Sequence, residues 1–139
     1  MSHQCKNLLV RCMDFRLEEV VEQWIKENDY LGDLDLISVA GSCKDFVAEP
    51  ESPAAEYLFK QIDLSYQLHQ MRRVILTQHQ DCGAYGGTEA HGSVEVEKEK
   101  LITDMRKLKE LLAAKYSDLE VMMKWIAWRG ESWEFEEVA

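Results

Sequence analysis

What this sequence lacks removes several classes of protein at the outset. Only four cysteines (Cys5, Cys12, Cys43, Cys82) are spread over 139 residues, too few and too scattered for a small disulfide scaffold. No apolar run approaches the roughly 18–20 residues needed to cross a bilayer, so no membrane partner is expected. The stretch MSHQCKNLLVRC lacks the basic segment and long apolar core of a secretory leader. A reducing, cytoplasmic setting is therefore expected, with thiols free for a metal or for chemistry. Lysine and arginine number 16 against 26 acidic residues, for a net charge of −10. Clustered positive charge that would release phosphate counterions is missing, so no nucleic-acid partner is expected. There is no repeat, no low-complexity tract and no Pro/Gly/Ser linker. The length suits one domain, 1–139, on the usual scale of roughly 100–200 residues, and 46% hydrophobic residues can fill its core.

What is present alternates short apolar runs with longer amphipathic ones. LLVRC (Leu8 to Cys12) reads as a buried strand. In LEEVVEQWIKEN, Leu17, Val20, Val21, Trp24 and Ile25 recur at helical spacing along one face. DLISVAG (Asp35 to Gly41) is a second strand, and a loop with Pro50 and Pro53 leads into a helix over about 54–70. RVILTQ is the third strand, followed by a long helix from about Val94 to Tyr116 with Leu101, Met105, Leu108 and Leu112 on one face. LEVMMKWIAW, the turn RGES and the alternating WEFEEV predict a closing hairpin. This order predicts an α/β fold: a three-layer αβα arrangement with a mostly parallel central sheet and a C-terminal antiparallel strand.

In such sheets ligands sit beyond the carboxyl ends of the strands. That rule selects CMDFR after the first strand, AG after the second and HQDCG after the third. Adjacent parallel strands would bring Cys12, His79 and Cys82 to a common centre. Zinc accepts two thiolates and an imidazole, and three protein ligands leave a fourth position open for chemistry. A cysteine at a strand end is ordinarily a small buried hydrophobe, so from the residues alone both readings stand. Gly83, Gly86 and Gly87 would let backbone approach a ligand or adopt positive φ, which makes Gly83 the candidate substrate contact.

Cys-x-Asp-x-Arg, Ala-Gly and His-x-x-Cys-Gly, in this order and over roughly Asn7 to Val138, resemble the β-class carbonic anhydrases. The resemblance implies Zn²⁺ held by Cys12, His79 and Cys82, with Asp14 and Arg16 paired beside it as catalytic residues. It implies hydration of carbon dioxide to bicarbonate by zinc-bound hydroxide. In that scheme Asp14 accepts the hydroxide proton, and Arg16 keeps Asp14 ionised. It further implies a homodimer, and it allows a closed state in which the aspartate rotates onto zinc. Two features depart from the family pattern. SVAGS (Ser38 to Ser42) stands where Arg-Asn-Ala-Gly-Asn is common, and little chain precedes the first strand.

Other readings compete. The same scaffold could hydrolyse carbonyl sulfide or carbon disulfide, or serve as a zinc-bearing binding module without turnover. A cysteine phosphatase loop would need an arginine where Thr88 stands. His91 is a candidate proton relay or a loop residue. His69 reads as a surface or packing residue, and His3 and Cys5 as part of a frayed terminus. Cys43 is a candidate reactive or buried thiol. Tyr85 and Asp81 lie in the ligand loop and could border the pocket, or Asp81 could simply hydrogen-bond loop amides; Trp24, Trp125, Trp128 and Trp133 fill the core or a subunit contact.

Overall fold

A computed structural model describes residues 3–139. Five strands form one sheet in the order β2-β1-β3-β4-β5. They are β1 (Asn7–Arg11), β2 (Leu34–Ser38), β3 (Arg73–His79), β4 (Glu120–Trp128) and β5 (Trp133–Glu137). The helices are α1 (Glu18–Glu27), α2 (Lys44–Val47), α3 (Pro53–Leu68), α4 (Gly87–His91) and α5 (Val94–Lys115). The first four strands pair in parallel, and β5 returns antiparallel to β4. Every residue of β1 is buried, as is β3 from Val74 to His79. That explains why these strands read as continuous apolar runs rather than alternating ones.

Paired positions share a face of the sheet, so the register assigns the layers. Leu9, Ile75 and Met122 lie in one row. On that face Trp24 of α1 stacks on Phe135 of β5, with ring centroids 4.6 Å apart. Leu8, Val74 and Val121 lie on the other face. There α3 reaches Asp35 through Ser65, and α5 reaches Glu136 through Lys98. The architecture is therefore the αβα sandwich expected from the sequence.

Differences from the expected boundaries have local causes. The chain leaves β2 at Ser38 rather than Gly41, because Gly41 and Ser42 both take positive φ (79° and 54°) and turn it away. A Cβ at Gly41 would lie 3.0 Å from the Lys44 Cβ and 3.1 Å from the Ala84 Cβ, so glycine there admits the loop after Cys82. The third helix begins one residue before the expected start, because the Ser52 hydroxyl caps the Ala55 amide and Pro53 suits the first turn. Two short helices, α2 and α4, fall where loops were expected; neither is long enough to show a period.

Leu108 lies on the inner face of α5 with no exposed surface. Leu108→Ala should cost about 2–5 kcal/mol of stability, read as a lowered urea midpoint with the far-ultraviolet circular dichroism of the folded state unchanged.

Candidate metal centre

The strand order reverses direction between β1 and β3: the chain runs out to β2 and then returns to the opposite side of β1. The crevice at such a switch point lies outside the carboxyl ends of the two strands. Cys12 follows β1 directly, His79 is the last residue of β3, and Cys82 lies three residues further on. Their ligand atoms all lie within 4.8 Å of one another, the only such cluster among the described residues. Cys12, His79 and Cys82 are 6%, 0% and 0% exposed, so the three donors are closed off from bulk water.

The donor chemistry fits zinc. The two sulfurs are 4.0 Å apart, and sulfurs bound at about 2.3 Å to one tetrahedral ion would stand about 3.8 Å apart. His79 Nδ1 lies 2.7 Å from the Gln80 carbonyl oxygen. A carbonyl only accepts, so Nδ1 carries the proton and Nε2 presents its lone pair. That Nε2 is buried and finds no hydrogen-bond partner among the described residues. An orphaned buried acceptor is costly, and a cation at the centre of the cluster would satisfy it. The Gly41 and Asp14 amides face the Cys12 sulfur, and the Ala84 and Tyr85 amides face the Cys82 sulfur. The Cys12 thiol is pushed down, chiefly by its hydrogen bond with the Cys82 sulfur, and the Cys82 thiol is pushed up as the other half of that shared proton.

Asp14 stands beside this cluster and outside it, with Oδ2 3.9 Å from His79 Nε2. Arg16 grips it: Nη2 donates to Oδ2 at 2.6 Å, Nε lies 3.1 Å from both oxygens, and the Arg16 amide donates to Oδ1 at 2.9 Å. These bonds hold the Asp14 carboxyl below the usual carboxylate range, with burial opposing them. The same guanidinium donates to Asp81 Oδ2 at 3.1 Å and to the Asp81 carbonyl at 2.8 Å. Arg16 therefore ties the Cys12 loop to the Cys82 loop. Asp81 adopts φ 58°, and its Oδ1 accepts from the Thr88 amide, the local amide capping expected of a loop aspartate.

Gly83 opens a short 3-10 turn, Gly83–Tyr85, and is exposed. A Cβ there would meet nothing within 4 Å. Ser38 is exposed at the end of β2, so the second loop offers no basic side chain at that position. Tyr85 turns inward and donates to Asp104 Oδ2 at 2.8 Å. Cys43 is completely buried, and burial pushes its thiol up to about 12. His69 pairs with Asp35 at 2.6 Å on the far side of the sheet, and His91 lies on α4. Trp24 and Trp125 belong to the core, while Trp128 is 41% exposed.

Two contributors escaped the sequence reading. Trp133 packs edge-on against the His79 ring and beneath the Arg16 guanidinium. With Trp128, Thr88 and Val94 it lines a cavity of about 710 Å³ next to Arg16. Glu97, on α5, is buried and accepts from the Cys82 amide. The available signal for Glu97 was its place on the apolar stripe of α5, one turn before Leu101.

The mostly parallel sheet with its closing antiparallel strand is that of the β-carbonic-anhydrase fold. The chain belongs to the family described as "Putative carbonic anhydrase", which matches residues 2–139. Among solved structures it is similar to a carbonic anhydrase from Streptococcus mutans, with TM-score 0.66 and 17% identity, covering 100% of this chain and 86% of that one. A β-carbonic anhydrase of Aspergillus fumigatus superposes with TM-score 0.62 at 8% identity, over 96% of this chain and 90% of that one. Both are likenesses of fold. In sequence, an uncharacterized protein of Rickettsia bellii is 25% identical over 122 residues, 86% of this chain and 74% of that protein. A second, from Rickettsia conorii, is 22% identical over 122 residues, 86% of this chain and 66% of its own length.

With three donors on one centre, loss of either sulfur should weaken binding of a metal there. Cys12→Ser or Cys82→Ser should purify with well under half the wild-type zinc content by elemental analysis.

Proposed function

We propose that this chain is a zinc-dependent carbonic anhydrase catalysing CO₂ + H₂O ⇌ HCO₃⁻ + H⁺. The observation that carries the reading is the buried His79 Nε2, without a partner and clustered with two sulfurs, next to a carboxylate held by arginine. Zinc bound by Cys12, His79 and Cys82 would supply Lewis acidity, drawing the pKa of a water toward about 7.

The remaining work falls to the chain. Asp14 accepts a hydrogen bond from the attacking oxygen nucleophile and so turns its lone pair toward CO₂. Arg16 keeps that acceptor ionised and fixes its rotamer, since a bidentate guanidinium stabilises the charged carboxylate. Ion pairing with Arg16 keeps the Asp14 carboxylate beside the Cys12, His79 and Cys82 donors rather than among them. The exposed backbone at Gly83 leaves room for a small linear substrate at the mouth. Attack of the water-derived oxygen on CO₂ forms one C–O σ bond while the π pair of one C=O moves onto its oxygen; bicarbonate leaves with all three oxygens, and the proton lost from water passes to buffer.

Two partner expectations belong to the same reading. Met13 and Phe15 flank Asp14 and are 62% and 82% exposed, which suits a second copy of the chain covering the mouth in a homodimer. All four cysteines are unpaired, which suits a reducing compartment such as the cytoplasm. Among the described residues no helix is long and apolar enough to cross a membrane.

Stopped-flow CO₂ hydration on zinc-loaded protein across pH 7–9 tests the proposal, and a zinc-replete chain with no hydration above buffer would sink it. Asp14→Asn should keep its zinc and lose most of kcat near neutral pH, about 10²-fold or more on the scale of a positioned proton acceptor. Chelation should abolish turnover in the wild type, and added zinc should restore it.

A further inference from the structure

Glu97 occupies a position that the pattern of α5 reserves for apolar side chains, between Val94 and Leu101 on the inner face, and it is 0% exposed. A buried carboxylate is unfavourable unless hydrogen bonds replace its lost water. Its side chain accepts three, two from the loop that carries Cys82 and one from Thr88 on α4, which follows it. Oε1 accepts from the Asp81 amide at 3.0 Å and the Thr88 hydroxyl at 2.8 Å, and Oε2 accepts from the Cys82 amide at 3.3 Å. The 22-residue helix α5 anchors this loop at two points, through Glu97 near its start and through Asp104, which accepts from the Tyr85 hydroxyl, but only Glu97 reaches the amides of Asp81 and Cys82.

We infer that Glu97 is the positioning residue of the metal centre, setting where the Cys82 sulfur stands and where Arg16 finds its second anchor. The Cys82 amide, fixed by Oε2, determines the direction in which the Cβ and sulfur leave the backbone. The Asp81 amide, fixed by Oε1, holds Asp81 in its left-handed conformation with its carbonyl and carboxylate turned to Arg16. Thr88 closes the loop from its far end: its hydroxyl donates to Glu97 and its amide donates to Asp81 Oδ1. One carboxylate thus connects α5 to Cys82 directly and to Asp14 through Asp81 and Arg16. Partners one step outside a metal's ligands commonly alter affinity by about 10- to 100-fold when removed. A leucine here would continue the apolar stripe and leave the Asp81 and Cys82 amides without this acceptor.

This inference rests on the metal-binding reading and not on CO₂ as the substrate. The test uses the full chain freed of metal and titrated with Co²⁺, which substitutes for zinc and reports thiolate ligation through its charge-transfer absorption. Glu97→Ala should bind Co²⁺ at least about tenfold more weakly than wild type, with a displaced charge-transfer band. Glu97→Gln keeps one acceptor oxygen and should lie between the two. Leu108→Ala, which weakens the same helix in the core, should keep wild-type Co²⁺ affinity and spectrum, so that lost stability alone does not account for the effect. Should Glu97→Ala not fold, Glu97→Gln and Glu97→Asp replace it under the same criteria. Wild-type affinity and an unshifted band in the folded Glu97 variants overturn the inference while leaving the metal centre standing. A wild-type chain that takes up no Co²⁺ overturns both.

Discussion

One guanidinium joins two loops that are 65 residues apart in sequence, and the site depends on that junction. Arg16 holds Asp14 on its own loop and Asp81 on the other. The first contact fixes a carboxylate next to His79, and the second fixes the loop that carries Cys82. Charge-assisted bonds in a planar fork specify direction as well as distance, which a lysine would not do. Trp133 lies against the guanidinium on the hairpin side, so the closing strand of the fold also bears on the junction.

The sheet makes this possible. Parallel pairing of β1 with β3 puts two chain ends side by side, and reversal of the strand order between them opens the crevice they share. Buried β1 and β3 give a rigid floor, while the ligands themselves sit just past the strand ends, where the backbone is free to turn. Positive φ at Gly41, Ser42 and Asp81 marks those turns. Backbone amides from three loops face the sulfurs, so the polypeptide stabilises negative charge there through main-chain groups that no side-chain substitution removes. A preorganised donor set of this kind needs little rearrangement when a cation arrives.

Two guanidiniums serve the loop after β1: Arg11 donates to the Cys12 and Asp14 carbonyls, and Arg16 donates to the Asp14 carboxylate. Asp14 and Asp81 both lean on Arg16, Ser38 supplies no base at the second loop, and Glu97 is satisfied by amides and a hydroxyl alone.

By itself the sequence determined the layer order, the strand and long-helix positions, and the grouping of Cys12, Asp14, Arg16, His79 and Cys82. Hydrophobic period and motif spacing are local properties, and the rule that sites lie at strand ends turned them into a location. Only the tertiary structure decided that the His79 Nε2 is the free nitrogen, that Arg16 reaches Asp81, and that Glu97 and Trp133 belong to the site. Those facts depend on which atoms meet across the fold. A buried glutamate on an apolar stripe and a tryptophan in an alternating strand carry no local mark of the partner they will find, because side-chain direction is fixed by packing between elements rather than by sequence neighbours.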